Sequence, residues 1–274
     1  MWNIPIKNLK VCIKNNITIT VNTLDYAKEL IESNNKKIKV HIKINTGMNR
    51  LGVSNKEEFN EIFNLLSENN IFIEGVYTHI YNASCVNDTI NQFNKYQMII
   101  SDIDKEKVPI FHVAASETLT TYSKLDFING CRLGIIMYGF TDNKELNLNS
   151  TFSLHSKIIQ INELKKGDKL GYNGNYIAKG DEKIGVVCIG YADGIIRKNT
   201  GRYVYINDKE YLIICNICMD MLFVKIDNSV NINDEVVILK DIGHIEQVAK
   251  YLGTIPYEII CSISKRVPRI MIEK

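Results

Sequence analysis

Ile71-Phe72-Ile73-Glu74-Gly75-Val76-Tyr77-Thr78-His79 is a β-rich run ending on a histidine, and its flanks decide the fold. Upstream, Phe59, Ile62, Phe63 and Leu66 share one face at helical spacing, and Ser54 and Glu57 stand three apart like a capping box. Downstream, a helix is predicted over residues 88–103, carrying Phe93, Gln97 and Ile100. The alternation continues in both directions. Strands are predicted at 17–21, 38–44, 108–113 and 131–138, with a helix at 23–33 (Leu24, Ala27, Ile31) and a short one near Glu117. Strands joined by helical crossovers make an α/β parallel sheet or barrel.

Residues 141–150 are polar and read as a linker, and beyond them the period changes. Strands are predicted at 152–164, 183–191, 203–206, 211–224 and 235–239, and only 245–252 looks helical. The expected organisation is therefore 1–143 as a partial (β/α) barrel and 144–274 as a mostly β domain.

Composition removes several function classes. With 33 Lys plus Arg against 31 Asp plus Glu, the net charge of +2 gives no electrostatic footprint for nucleic acid or an anionic membrane. No stretch approaches the ~20 apolar residues of a membrane span, and Met1-Trp2-Asn3-Ile4-Pro5 lacks the pattern of a signal peptide. The cysteines, Cys12, Cys85, Cys131, Cys188, Cys215, Cys218 and Cys261, are odd in number and scattered, which favours a reducing cytoplasm over a disulfide scaffold. Cys215 and Cys218 form a lone C-x-x-C inside the predicted 211–224 strand, where residues three apart face opposite sides, so no metal site is expected.

In barrels the chemistry sits at the C-terminal ends of the strands. Those ends offer Lys43 and Asn45, then His79, then His112 and Ser116, then Arg132 with Gly134 and Ile135. Four such groups at one edge point to a site, because burying them without partners is expensive. If the five strands are the last five of eight, the barrel's phosphate position falls on Ser116 and the backbone N–H groups of Gly134 and Ile135. A phosphate near Arg132, with neither a P-loop nor a dinucleotide glycine fingerprint, points to a phosphorylated cofactor.

The stretch Lys43-Ile44-Asn45-Thr46-Gly47-Met48-Asn49-Arg50-Leu51-Gly52 resembles the signature of alanine racemases. So do Tyr77-Thr78-His79, His112-Val113-Ala114-Ala115-Ser116, Arg132 to Gly139, Gly171-Tyr172, Ile189 to Gly194, Ile217-Cys218-Met219-Asp220 and Arg266-Val267-Pro268-Arg269. The resemblance spans nearly the whole chain. It implies a pyridoxal 5'-phosphate enzyme of the fold-type III barrel class, acting on alanine as a homodimer with shared active sites and supplying D-alanine for peptidoglycan. By that resemblance Ser116, Gly134, Ile135 and Tyr257 hold the phosphate, and Arg132 faces the pyridine nitrogen. Tyr172 is one catalytic base, reaching into the other subunit's site and polarised by His79 and Arg132. Arg50 and the backbone of Met219 bind the substrate carboxylate, and Lys43 matches a position often carbamylated in the family.

The chain also departs from that pattern. Five strands stand where a full barrel has eight over ~250 residues, and no lysine sits in the context of the family's Schiff-base lysine on its first strand. The expectation is a racemase lacking its N-terminal part, which a separate segment could supply. The alternatives are a non-catalytic relic or dimerising scaffold, and a racemase of another small amino acid such as serine. Ala115, Asn45 and Cys215 stand where the family usually has Asn, Asp and Gly. Tyr176 and Tyr191 are read as packing or interface residues, and His41 and His155 as structural.

Overall fold

β-branched runs separated by amphipathic helices build the first half strand by strand. The computed structural model describes residues 3–33, 38–122 and 126–272. In it β1 (Ile19–Val21), β2 (Lys39–Lys43), β3 (Phe72–Tyr77), β4 (Ile110–Ala115) and β5 (Gly130–Arg132) pair in parallel in chain order. The connections carry helices, so this is a partial (β/α) barrel. After α1 (Leu9–Lys14) come α2 (Leu24–Glu32), α3 (Lys56–Glu68), α4 (Val86–Ile99) and α5 (Ser116–Thr121). Val40, Ile42, Val76 and Val113 from the sheet and Leu30, Phe59, Ile62, Leu66 and Ile99 from the helices are fully buried in one core. Each such side chain contributes about 1.5–3 kcal/mol on burial.

Register lines up the polar groups. His41 pairs with Gly75, Lys43 with Tyr77, Tyr77 with His112, and Ala115 with Arg132. Gly75 matters because a Cβ there would lie 2.8 Å from the His41 ring and 2.9 Å from the Ile110 carbonyl. Gly75→Ala is therefore expected to destabilise the chain by about 1–3 kcal/mol, the usual cost of overpacking. A urea midpoint indistinguishable from the parent would refute that reading.

Several boundaries differ from the sequence reading. Helix α3 is capped by Asn55, whose Oδ1 accepts from Glu58 N at 2.8 Å, not by Ser54. Helix α4 buries Thr89, Gln92, Tyr96 and Ile99, with the Tyr96 hydroxyl on the Val76 carbonyl; of the predicted face, Ile100 is fully buried and Phe93 packs on the same core, while Gln97 is half-buried. The fifth strand stops at Arg132. Gly134 N–H turns to Ser116 Oγ and Ile135–Tyr138 wind into a 3₁₀ turn.

The chain forms two compact units, one running to Met137 with Thr141–Asn147, the other made of Tyr138–Phe140 and the chain from Leu148. In the second, β6 (Leu154–Leu164), β9 (Glu182–Val187), β10 (Tyr203–Ile206), β11 (Lys209–Ile214), β12 (Leu222–Ile226) and β13 (Glu235–Leu239) close an antiparallel barrel in the order β10-β11-β12-β9-β6-β13. A separate ribbon pairs β7 (Lys169–Leu170) with β8 (Tyr176–Ile177). The predicted 211–224 strand is two strands, broken where Cys215 takes φ +60°, a left-handed conformation that glycine adopts most readily. After α6 (Ile242–Leu252) comes α7 (Pro256–Ser262), which the sequence reading missed despite the proline at its first turn. Among the described residues no helix is long and apolar enough to cross a membrane, no group of His, Cys, Asp or Glu could hold a metal, and the seven cysteines are free.

Candidate active site

Arg132 organises the strand ends of the first unit. Its Nη1 donates to His112 Nδ1 (2.8 Å) and His112 O (3.0 Å). Its Nη2 donates to Thr78 O (2.7 Å), Val113 O (3.0 Å) and His79 Nδ1 (3.3 Å). Three carbonyls and two imidazoles thus fix the guanidinium plane, and among the described residues only Nε–H has no acceptor. Thr78 is itself locked, its hydroxyl on Ile44 O and Thr46 Oγ1.

A guanidinium only donates, so both histidines accept through Nδ1 and carry their proton on Nε2. His112 Nε2–H then donates to His41 Nδ1 at 2.8 Å. His41 Nε2 in turn faces Glu74 Oε2 at 3.4 Å, too misaligned for a hydrogen bond, so that last contact is electrostatic. Glu74 is held by Thr18 Oγ1 and Lys39. Burial first, then Arg132 and His41, push His112 down to about 3, and burial with the Arg132, Arg50 and Lys43 charges pushes His79 down to about 4. Both rings are neutral at pH 7, and Arg132 keeps the charge. His41, read from sequence as structural, belongs to this chain of imidazoles. The signal was available, since His41 and Lys43 are two apart on one strand and share a face.

Lys43 is buried at the end of β2, and burial together with Arg50 and Arg132 lowers its pKa. Among the described residues no carboxylate pairs with it. Arg50 is exposed. The loop between them is ordered by Asn45, whose Oδ1 accepts from Gly47 N (3.2 Å) and Asn49 N (2.9 Å).

The three phosphate candidates of this unit converge. Ser116 Oγ accepts from Gly134 N at 2.9 Å, and a Cβ on Gly134 would stand 3.4 Å from that hydroxyl. Ile135 follows with its backbone N–H unspent among the described residues, at the start of the 3₁₀ turn where such groups have no intrahelical partner. The Gly134 N–H is thus committed to Ser116 Oγ, and a Cβ at 134 would make only ordinary contact with that hydroxyl.

The remaining candidates belong to the second unit, taken by itself. Tyr172 is 73% exposed on the turn between β7 and β8. Gly171 (φ +70°), Asn173 (φ +60°) and Gly174 (φ +59°) surround it, a backbone that thrusts one side chain outward. Met219 is exposed in the β11–β12 turn, where its carbonyl accepts from Ala192 N at 3.0 Å. Arg266 clamps this turn, binding Asp220 at 2.7 Å and Asp193 at 3.0 Å, a positioning role that the sequence reading quoted in a motif without assigning. Tyr257 is half exposed in the first turn of α7. Tyr176 donates its hydroxyl to buried Glu182, which Lys225 also engages at 2.9 Å, and its pKa is pushed up to about 12, chiefly by burial. His155 pairs with Ser153 and Glu235 on the surface.

Residues 1–142 match the family model described as alanine racemase, N-terminal domain, and residues 151–271 match alanine racemase, C-terminal domain. An alanine racemase of Staphylococcus epidermidis is 30% identical over 285 residues, covering 97% of this chain and 73% of the relative. The structure of alanine racemase from Clostridium difficile 630 superposes with a TM-score of 0.90 at 34% identity, covering 99% of this chain and 75% of that one. Alanine racemase from Bacillus anthracis, solved with bound L-Ala-P, gives 0.88 at 32% identity, covering 100% and 75%.

Proposed function

Because this chain belongs to the alanine racemase family of isomerases, we propose that it interconverts L- and D-alanine with pyridoxal 5'-phosphate. The observation that carries the reading is Arg132: every guanidinium N–H except Nε–H is committed to the protein. One donor is therefore held ready for an aromatic acceptor nitrogen. A fixed cation beside that nitrogen disfavours its protonation, and neutral His79 and His112 do not compete for the role.

Bound pyridoxal phosphate supplies the electron sink that makes an amino acid's Cα–H acidic. Ser116 and the Ile135 N–H would hold its phosphate, joined by the Gly134 N–H as it turns from Ser116 Oγ, with the Tyr257 hydroxyl as a further contact. Arg50 and the Met219 N–H hold the substrate carboxylate. Tyr172 of one protomer serves the partner's site in a homodimer, moving the proton at Cα. A hydrogen bond from His79 Nε2–H, backed by Arg132, favours the deprotonated phenol that this role needs. Lys43 is the carbamylation position: without an anionic partner among the described residues, its conversion to a carbamate replaces a repelling cation beside Arg50 with an anion that orients it. The biological output is D-alanine for cell-wall peptidoglycan, made in the cytoplasm.

The test is pyridoxal phosphate added to the purified chain, borohydride reduction and intact mass, with D-alanine formation measured in parallel. A single reduced adduct with D-alanine production supports the reading, and the rate with serine relative to alanine assigns the substrate. Saturable cofactor binding that Arg132→Gln weakens at least about tenfold, without adduct or turnover, keeps the site but makes the chain a non-catalytic scaffold unless a separate segment brings the lysine. No saturable binding overturns the assignment.

A further inference from the structure

Cys215 has no part in the chemistry assigned above, yet its surroundings are unusual. It is buried, and its φ of +60° lies in a region that non-glycine residues seldom occupy. Such an outlier persists where neighbouring structure over-determines it. Here the Cys215 carbonyl accepts from the Thr200 hydroxyl at 2.7 Å, and the Thr200 carbonyl accepts from the Tyr251 hydroxyl at 2.7 Å. The backbone of Cys215 is tied to its own unit, and its thiol points at another element.

That element is the β7–β8 ribbon. Cys215 Sγ donates to the Leu170 carbonyl at 3.2 Å, a buried contact between residues 45 apart in sequence. A Cβ on Gly171 would stand 2.5 Å from the same sulfur, so the thiol fills the space that a side chain at 171 would need. Leu170 and Cys215 share a small apolar cluster with Ile184 and Ile214, against which Tyr176 and Phe223 pack. The other strand of the ribbon has its own tie, from the Tyr176 hydroxyl to Glu182 and from there to Lys225. Between the two anchors the chain turns through Tyr172, whose exposed phenol makes no hydrogen bond among the described residues. Its place is therefore set by the backbone on either side.

We propose that Cys215 is a positioning residue for Tyr172. The thiol holds the carbonyl two residues before the phenol and packs on the glycine one residue before it, so the turn has little freedom to swing. A thiol is a weak donor, and the close packing on Gly171 supplies the rest of the hold. The inference rests on the reading of Tyr172 as a base, a role in which a misplacement of about 1 Å costs up to ~100-fold in rate.

The experiment is amide relaxation NMR on the intact chain, giving order parameters at Gly171, Tyr172 and Gly174, with Ala192 and Met219 as internal references. Cys215→Gly removes the thiol at a φ that glycine accepts without strain, so folding is spared. In that variant the order parameters at 171, 172 and 174 are expected to fall from about 0.85 to below about 0.6. Ala192 and Met219 should not change, because their mutual bond and the Arg266 clamp do not use the thiol. Cys215→Ser, which keeps a donor, is expected to stay near the parent, and Cys215→Ala to lose order. If Cys215→Gly does not fold, the serine and alanine variants decide. Gly171→Ala combined with Cys215→Gly is expected to shift the urea midpoint by less than the sum of the two single shifts, since the added methyl enters the space the sulfur leaves. Unchanged order in Cys215→Gly, equal loss in the serine and alanine variants, equal loss at Ala192 and Met219, or additive midpoint shifts overturns the proposal. These readouts need neither cofactor nor turnover, so they judge the support separately from the base: Tyr172→Phe that leaves D-alanine formation unchanged ends the latter reading alone.

Discussion

Arg132→Met is expected to lower the stability of the first unit by about 3–5 kcal/mol, the range for breaking a buried charged network by removing one partner. The guanidinium satisfies the carbonyls of Thr78, His112 and Val113 and the Nδ1 atoms of His79 and His112. Methionine fills much of the same volume and offers no donor, so acceptors at the ends of β3 and β4 lose their partners at about 1–3 kcal/mol for each one left buried. Arg132→Lys restores the charge but not the fork, and one ammonium cannot reach acceptors spread over two strands. It is expected to recover less than half of the loss. Urea unfolding by circular dichroism measures both. Because the chain has two units, the transitions should be fitted separately rather than as one two-state step. A loss below about 1 kcal/mol for Arg132→Met would show that water or a neighbouring side chain replaces the network.

The position of the first unit's candidates at the strand ends was legible in the sequence. Polar residues at strand ends are conspicuous because apolar strands surround them, so Lys43, His79, Ser116 and Arg132 stood out, and parallel register then placed them along one edge. The second unit's candidates, Tyr172 and Met219, came only from the motif resemblance, since no periodicity marks a side chain displayed on a turn. What went unread depends on distant pairing. The His41–His112 contact joins residues 71 apart, and the Arg266 clamp joins segments that only the closed barrel brings together. The C-x-x-C run was misread as one strand because β propensity continues through Cys215, while the turn is set by its positive φ.

The buried imidazoles make a second large effect, now on pH. In the folded chain His112 titrates at about 3 and His79 at about 4, against an ordinary value of 6.5, and burial lowers His41 and His244 as well. As pH falls through 6.5 the unfolded chain takes up protons that the folded chain refuses, so stability is full above pH 6.5 and declines toward pH 4. Each fully excluded imidazole contributes a slope of about 1.4 kcal/mol per pH unit. His112, deeply buried, supplies most of that amount, and the half-buried His79 supplies less because solvent screens it, so about 2 kcal/mol per unit is expected for the pair. The lowered carboxylates, Glu74 and Glu182 among them, act below this window, which leaves pH 6.5 to 5 as an imidazole-dominated range. His112→Gln offers an acceptor to Arg132 and a donor to His41 without a titrating group, and should flatten the slope by about 1 kcal/mol per unit. Urea midpoints at pH 7.5, 6.5, 5.5 and 5.0 for both proteins measure this. Equal slopes would mean that His112 takes up its proton while folded, and that Arg132 does not hold it neutral.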